Sequence, residues 1–587
     1  MINLRNNKGS VTIFVITTCL FFIVALTTVG MHMQAKKIAV DREYKKIKES
    51  YEKDVQNISE IYEQLNETSN LEVAFSDITI TPSIKQISVK ATLNTQNLDI
   101  KTLKYGWVYS DSELDSLDDQ DITDWTYVEN FNGENNVIAI RKYQESQRKG
   151  HNYLCLMVNN KTYWKEAKIP NMPEGWGVAD ENNAQNDWYA YKDNTGAIAT
   201  VNKPKLADGM TPIIYVGEDG TSSSTLTTLT TGNKWANAMT KDGSMWVWIP
   251  RYAYRITSGY HQSGADINPD NPELGAGTIE IAFVDKNNHF LDQNIAGTVV
   301  TSGVTDSTYL DTTKWILEPG FEFGDEHLDG FWFAKFEASN TYGYGDDFAT
   351  ANDTTLTLQI KPNVTSWRYI TSLNIFTVCQ ELTSNTNYEK YFNSVTNVDI
   401  HMTKNVEWGA VAYLAHSKYG LNGQEIYINN YSGYITGISG ASPTASSTAD
   451  DSNKYNTTVG INASTTKNIY GIYDMSGGAF EYVAGCYTEY TSKLTSNTNS
   501  TFTSKYIDVY SSYSIAKYGD AVYESSILSS STNSWFNDYS GTVRSDSPVL
   551  ARGGHYDRTS SAGLYSFINN NGNAYCGYGF RPVCIVN

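Results

Sequence analysis

Charge is scarce in this chain of 587 residues, where charged side chains make up 18% against about 25% in ordinary soluble domains. Basic residues are the scarcer sign, 44 Lys and Arg against 64 Asp and Glu, for a net charge of −20. Such a surface repels phosphate backbones and speaks against nucleic acid as a partner. Cysteine and histidine are few as well. The six cysteines (Cys19, Cys155, Cys379, Cys486, Cys576 and Cys584) include no CxxC pair, and the eight histidines form no HxH or HExxH. That pattern speaks against a zinc signature and a disulfide framework. A Cys486–Cys576 or Cys576–Cys584 bridge stays open, and buried free thiols are the expected state. Long hydrophobic runs are missing except for one near the N-terminus.

Aromatic and turn-forming residues are plentiful instead, with 42 Tyr, 13 Trp and 43 Gly. Ser, Thr and Asn fill much of the rest. The mixture predicts β-rich domains with polar, uncharged surfaces and many turns, and the length predicts about three or four domains.

The single apolar run, SVTIFVITTCLFFIVALTTVGM, carries no charge. At about 1.5 Å per residue it spans a bilayer core of roughly 30 Å, so residues 10–33 are expected to form a transmembrane helix. Residues 1–9 form a short leader with Arg5 and Lys8, which place the N-terminus inside; Lys36, Lys37 and Arg42 on the other flank pull the opposite way. Residues 34–70 continue as a helical stalk, with Ile47, Tyr51, Val55, Ile58, Tyr62 and Leu65 spaced by threes and fours. Residues 71–170 switch to short alternating runs broken by Asn, Asp and Gly, with a closing YLCLMV strand and a polar hairpin at Asn159-Asn160-Lys161. About seven such strands predict an immunoglobulin-like β-sandwich spacer.

Residues 171–587 hold separated islands. EWGAVAYLAHSKYG reads as a helix with a glycine cap at Gly420, and GIYDMSGGAFEYV as a tight glycine turn. Arg552-Gly553-Gly554 and the terminal GFRPV read as paired closing strands, with Arg552 and Arg581 buried in structural networks.

Two resemblances follow from these residues. Lys8-Gly9 before Ser10 is similar to the class III leader of type IV prepilins. That implies cleavage between Gly9 and Ser10 and a pilus-like assembly, although Phe14 stands where those proteins carry Glu. The C-terminal islands resemble the sulfatase-modifying-factor family, the formylglycine-generating enzymes. Glu407-Trp408 with Ala410 and Ala412, then Gly471 to Gly477 with Glu481, then Arg552-Gly553-Gly554, then Gly579-Phe580-Arg581 follow that family's order. The resemblance covers about 250 residues of the module, with the stretches 439–465 and 488–547 read as insertions. It implies a C-type-lectin-like α+β domain. The expected fold class is therefore multidomain: a transmembrane and stalk α-helix, a β-sandwich, and a lectin-like C-terminal domain.

The family's catalytic members need two cysteines just after the RGG island. Here that stretch is HYDRTSSAGLYSF, so neither nucleophile nor copper ligand is present and no enzyme activity is expected. The family's calcium turn keeps Glu481 but has Gly478 in place of Asn, leaving one candidate ligand for a structural calcium and no other cofactor.

The stretch from His555 to Tyr578 is rich in Asn, Tyr, Ser and Gly, the chemistry of antibody paratopes. It also resembles the variable regions of diversity-generating-retroelement proteins, which share the lectin-like fold. The expected ligand-binding residues are His555, Tyr556, Asp557, Tyr565, Ser566, Asn569, Asn570, Asn573, Tyr575 and Tyr578. The expected protein is a bacterial, single-pass membrane adhesin or receptor whose partner is an extracellular protein or glycan; a pilin-like or filament-tip subunit is the alternative.

Overall fold

The computed structural model describes residues 16–18, strand backbone within 74–94 and 136–142, and, with short internal breaks, residues 104–127, 151–166, 172–179, 188–217, 233–260, 276–340, 348–445, 450–511, 518–526 and 534–587. The leader with Gly9 and Ser10, the stalk 34–70 and most of the apolar run lie outside the described residues. Residues 16–18 are helical and exposed. Among the described residues no helix is long and apolar enough to cross a membrane.

Contacts divide the chain into two compact units that meet in sequence at Ile169 and Pro170. Among the described residues the N-terminal unit holds seven strands in two sheets. One contains Ala74–Pro82, Gln86–Asn94 and Asn136–Lys142. The other orders Thr126–Tyr127, Lys104–Ser110, His151–Val158 and Lys161–Glu166, all antiparallel. Val158 pairs with Lys161, so the strands on either side of the expected hairpin are paired, while Asn159 and Asn160 lie outside the described residues. Val108, Leu117, Tyr153 and Cys155 form the buried cluster beneath this sheet.

The C-terminal unit is built on a seven-stranded antiparallel sheet. Its order is Val398–Met402, Pro582–Val586, Gly330–Ala334, Met245–Pro250, Asn237–Met239, Thr211–Tyr215 and Trp176–Val178. The central strands MWVWIP, GFWFA and PVCIV are buried at every position. Continuous apolar runs rather than alternation mark strands covered on both faces. A second sheet orders Thr278–Phe283, Tyr252–Ser258, Lys314–Leu317 and Thr298–Val300. A third is centred on Phe480–Tyr487, which pairs with Asp508–Tyr510, Val549–Gly553 and Tyr578–Phe580, while Gly563–Asn570 extends it beyond Val549–Gly553. The RGG and GFR segments therefore do not pair with each other. Both flank Phe480–Tyr487, and the chain leaves Phe580 for the seven-stranded sheet.

The helix Asn405–His416 is apolar or small on every side and buried along its whole length, as such a sequence must be. It ends without a glycine cap: Ser417, in extended conformation, donates its N–H to Tyr413 O. Gly420 is needed for a different reason, since a Cβ there would stand 2.2 Å from Ala415 O. At the N-terminal end Glu407 accepts the Lys404 N–H at 2.7 Å and meets His401 Nε2 at 2.9 Å, while His401 Nδ1 lies 2.8 Å from Asp399 Oδ1. Burial works against charge on His401, but the two carboxylates win and hold it up at about 9. Its proton is thus bound more tightly in the fold than in the unfolded chain. The contribution is complete below pH 6.5 and fades as pH rises through about 9. The gap in thermal midpoint between wild type and His401→Gln is expected to be widest at pH 6 and to shrink by pH 10; a gap independent of pH would contradict this.

Candidate functional site

The expected binding residues lie on segments fixed by buried charge. Arg581 and Glu481, 1% and 0% exposed, form a bidentate ion pair through Nε and Nη2. Arg581 also donates to Ala334 O and Tyr473 O, each at 3.0 Å, and so ties the seven-stranded sheet to the strand Phe480–Tyr487. Burial disfavours the charge on Arg581, and Glu481 more than offsets it. Glu481, the candidate calcium ligand, meets the guanidinium with both of its carboxylate oxygens. Among the described residues no group of His, Cys, Asp or Glu side chains is arranged to hold a metal ion.

Asp474 organises the loops above this pair. It accepts both the Gly437 N–H, at 2.9 and 3.0 Å, and the Asn429 amide, at 2.8 Å. Gly478 N–H then donates to Asn429 O at 2.7 Å, Gly477 N–H to Gly553 O at 3.1 Å, and Tyr556 N–H to Gly478 O at 2.9 Å. The turn after Met475 thus clamps the 429–437 loop to the 553–556 loop. Gly478 has φ +65°, and a Cβ there would lie 2.3 Å from Glu337 Oε1, the oxygen that accepts the Ala479 N–H at 2.8 Å. This explains glycine where the resembled family has Asn. Gly478→Asn is expected to lower stability by about 1–3 kcal/mol, read as a lowered urea midpoint; an unchanged midpoint would contradict the packing.

The clamped loops present one aromatic patch. The Tyr434 hydroxyl lies 2.6 Å from His555 Nε2, and His555 Nδ1 lies 2.6 Å from Asp557 Oδ1. The carboxylate can only accept, so Nδ1 carries the proton and Nε2 accepts from Tyr434. Ring contacts run from Tyr556 to Tyr434 and His555 (5.1 and 4.5 Å), from His555 to Phe480 (5.7 Å), and from Phe480 to Tyr578 (5.0 Å). Tyr578 continues to Tyr482 at 4.9 Å and to Tyr575 at 5.8 Å. Arg368, stacked 3.7 Å from the centre of the Tyr434 ring, donates to Cys576 O at 2.5 Å. Burial lowers the affinity of His555 for a proton despite Asp557, and burial suppresses the acidity of Tyr434.

Five of the ten expected residues, His555, Tyr556, Asp557, Tyr575 and Tyr578, converge here. Asn570 and Asn573 sit at its base: the Tyr482 hydroxyl lies 2.7 Å from Asn570 Oδ1 and 2.8 Å from Asn573 O. Asn569 is turned away and donates to Thr542 O. Tyr565 and Ser566 are buried, 0% and 1% exposed. The Tyr565 ring packs on Trp535, Phe536 and His416, so neither residue is presented to a ligand. Tyr434, Arg368, Phe480 and Tyr482 complete the patch from outside the expected stretch. Phe480 and Tyr482 stand in the GIYDMSGGAFEYV island, read as a turn and not as part of a site, and Tyr-Ser-Gly-Tyr at residues 431–434 has the same paratope-like composition. None of the five described cysteines is in a disulfide, so neither candidate bridge is formed; Cys576 is exposed and the others are buried.

The chain matches no family model, no curated protein and no solved structure.

Proposed function

We propose that the protein is a membrane-anchored surface receptor or adhesin that displays a non-catalytic, lectin-like module and binds an extracellular protein or glycan through the patch around Tyr434 and His555. The observation that carries this reading is the convergence of Tyr434, His555, Tyr556, Tyr575 and Tyr578 on one connected surface, with Tyr575 40% exposed. Rigid aromatic rings over adaptable amides and hydroxyls are what protein and sugar surfaces are read with. The clamp at Asp474 and Gly478 supports it, because pre-ordered loops lose little entropy on binding.

The non-catalytic part rests on the same residues. No cysteine stands between Ala551 and Tyr575. Burial pushes the Cys584 thiol up, away from the reactive thiolate. The anchor rests on the uncharged run within residues 10–33. The test joins place and binding. A membrane-impermeant amine label should reach lysines of the C-terminal unit on intact cells, and the full-length chain in detergent should bind on a protein or glycan array. Labelling only after lysis, or no ligand on either array, would sink the proposal.

A further inference from the structure

We propose that the C-terminal unit carries a second binding site, a cleft on the outer face of the Thr278–Phe283/Tyr252–Ser258/Lys314–Leu317 sheet that takes a neutral oligosaccharide. The cleft measures about 1060 Å³ and none of the aromatic patch residues lines it. Its walls are the sheet face, the 292–297 loop and the turn after the helix Asn405–His416. That volume is at the upper end of small-ligand pockets, which run to about 1,000 Å³, and exceeds what one sugar ring fills.

Charge sets the ligand class. The lining holds two cations, Arg255 and Lys418, and two carboxylates, Glu280 and Asp292. Two cations and two carboxylates leave the lining with no net charge, and Arg255 is paired with Glu280 at 2.5 Å, which favours an uncharged ligand over a phosphate, a sulfate or an acidic sugar. Of the large apolar side chains on the lining, Ile279, Ile281, Trp315 and Tyr419 are nearly buried and Ile295 is half-buried, which leaves little apolar seat for the side chains that fix peptides and lipids.

What remains are polar groups held in place. Arg255 donates to Thr312 O at 2.7 Å and stacks 4.4 Å from the Trp315 ring centre. Trp315 donates to Ala296 O at 3.1 Å. Asp292 Oδ1 accepts both the backbone N–H and the side-chain amide of Asn294 at 2.9 Å. His416, on the lining, donates from Nε2 to Gly277 O at 2.7 Å. Its Nδ1 is then a buried acceptor with no protein partner among the described residues. Fixed carboxylate and amide groups of this kind suit hydroxyls, which donate and accept at once.

The test uses the full-length chain in detergent and an array of uncharged oligosaccharides of two to four hexose or N-acetylhexosamine units. Binding is expected, weakened about tenfold or more by Glu280→Ala and by Asn422→Ala and unaffected by Tyr556→Ala. Asn422 lines the cleft from the turn after the helix and is exposed, so its variant keeps the test decisive should Glu280→Ala unfold. No binding, binding only of charged sugars or of peptides, or binding lost in Tyr556→Ala but kept in Asn422→Ala would overturn the cleft as a neutral-sugar site. The last outcome would leave the aromatic patch as the binding surface.

Discussion

Arg581→Met is expected to destabilise the C-terminal unit by about 3–5 kcal/mol, enough to unfold many domains of ordinary stability. The cost does not come from losing attraction alone. Removing the guanidinium strands Glu481, 0% exposed, with no counter-charge, close to the buried carboxylates of Asp474 and Glu337. It also removes the donors that Ala334 O and Tyr473 O accept, and unpaired buried acceptors add about 1–3 kcal/mol each. The double variant Glu481→Gln/Arg581→Met should recover a substantial part of the loss, because no buried ion is then left alone. Urea unfolding followed by tryptophan fluorescence reads both. A single variant within about 1 kcal/mol of wild type would show the pair to be dispensable.

Tyr434→Ala is expected to weaken ligand binding about 10- to 100-fold, or roughly 1.4–2.8 kcal/mol, as central aromatic anchors do. Tyr434 touches both sides of the patch: its ring meets His555, Tyr556 and Arg368, and its hydroxyl meets His555 Nε2. Tyr434→Phe keeps the ring and loses one hydrogen bond, so a severalfold effect is expected. Tyr565→Phe should leave affinity unchanged, since that ring is 0% exposed. Surface plasmon resonance with the ligand found on the arrays orders the three. Equal losses in Tyr434→Ala and Tyr565→Phe would place recognition elsewhere.

Local pattern carried a good deal of this architecture. The YLCLMV run lies in a strand, His151–Val158, and Arg552 and Arg581 are buried structural cations. What escaped was non-local. Nothing in RGGHYD or GFRPV states that both segments flank Phe480–Tyr487, because strand partners are chosen by the assembled core rather than by neighbours in sequence. The glycine expected to cap the helix at Gly420 serves close packing on Ala415 instead, and spacing alone does not separate those two uses of glycine.

The site shows the same division. Composition named the chemistry of residues 555–578 but not the direction of each side chain. Tyr565 and Tyr575 are the same residue ten positions apart, yet one fills a pocket beside Trp535 and the other is 40% exposed. Tyr434 and Arg368 were missed because Asp474 draws the 429–437 loop to the patch from more than a hundred residues upstream. A carboxylate inside a YDM sequence gives no hint of which backbone amides it will bind.

Site-specific photo-crosslinking on intact cells tests the central claim most directly. A photoreactive phenylalanine analogue is placed at position 575 in the patch, or at position 459, an exposed residue that belongs to neither the patch nor the cleft. Cells are then irradiated with the ligand found on the arrays. Capture from 575 and not from 459, abolished by Tyr434→Ala, is the expected result. Capture from neither position, or equally from both, would contradict a surface receptor that reads its ligand with the patch around Tyr434 and His555.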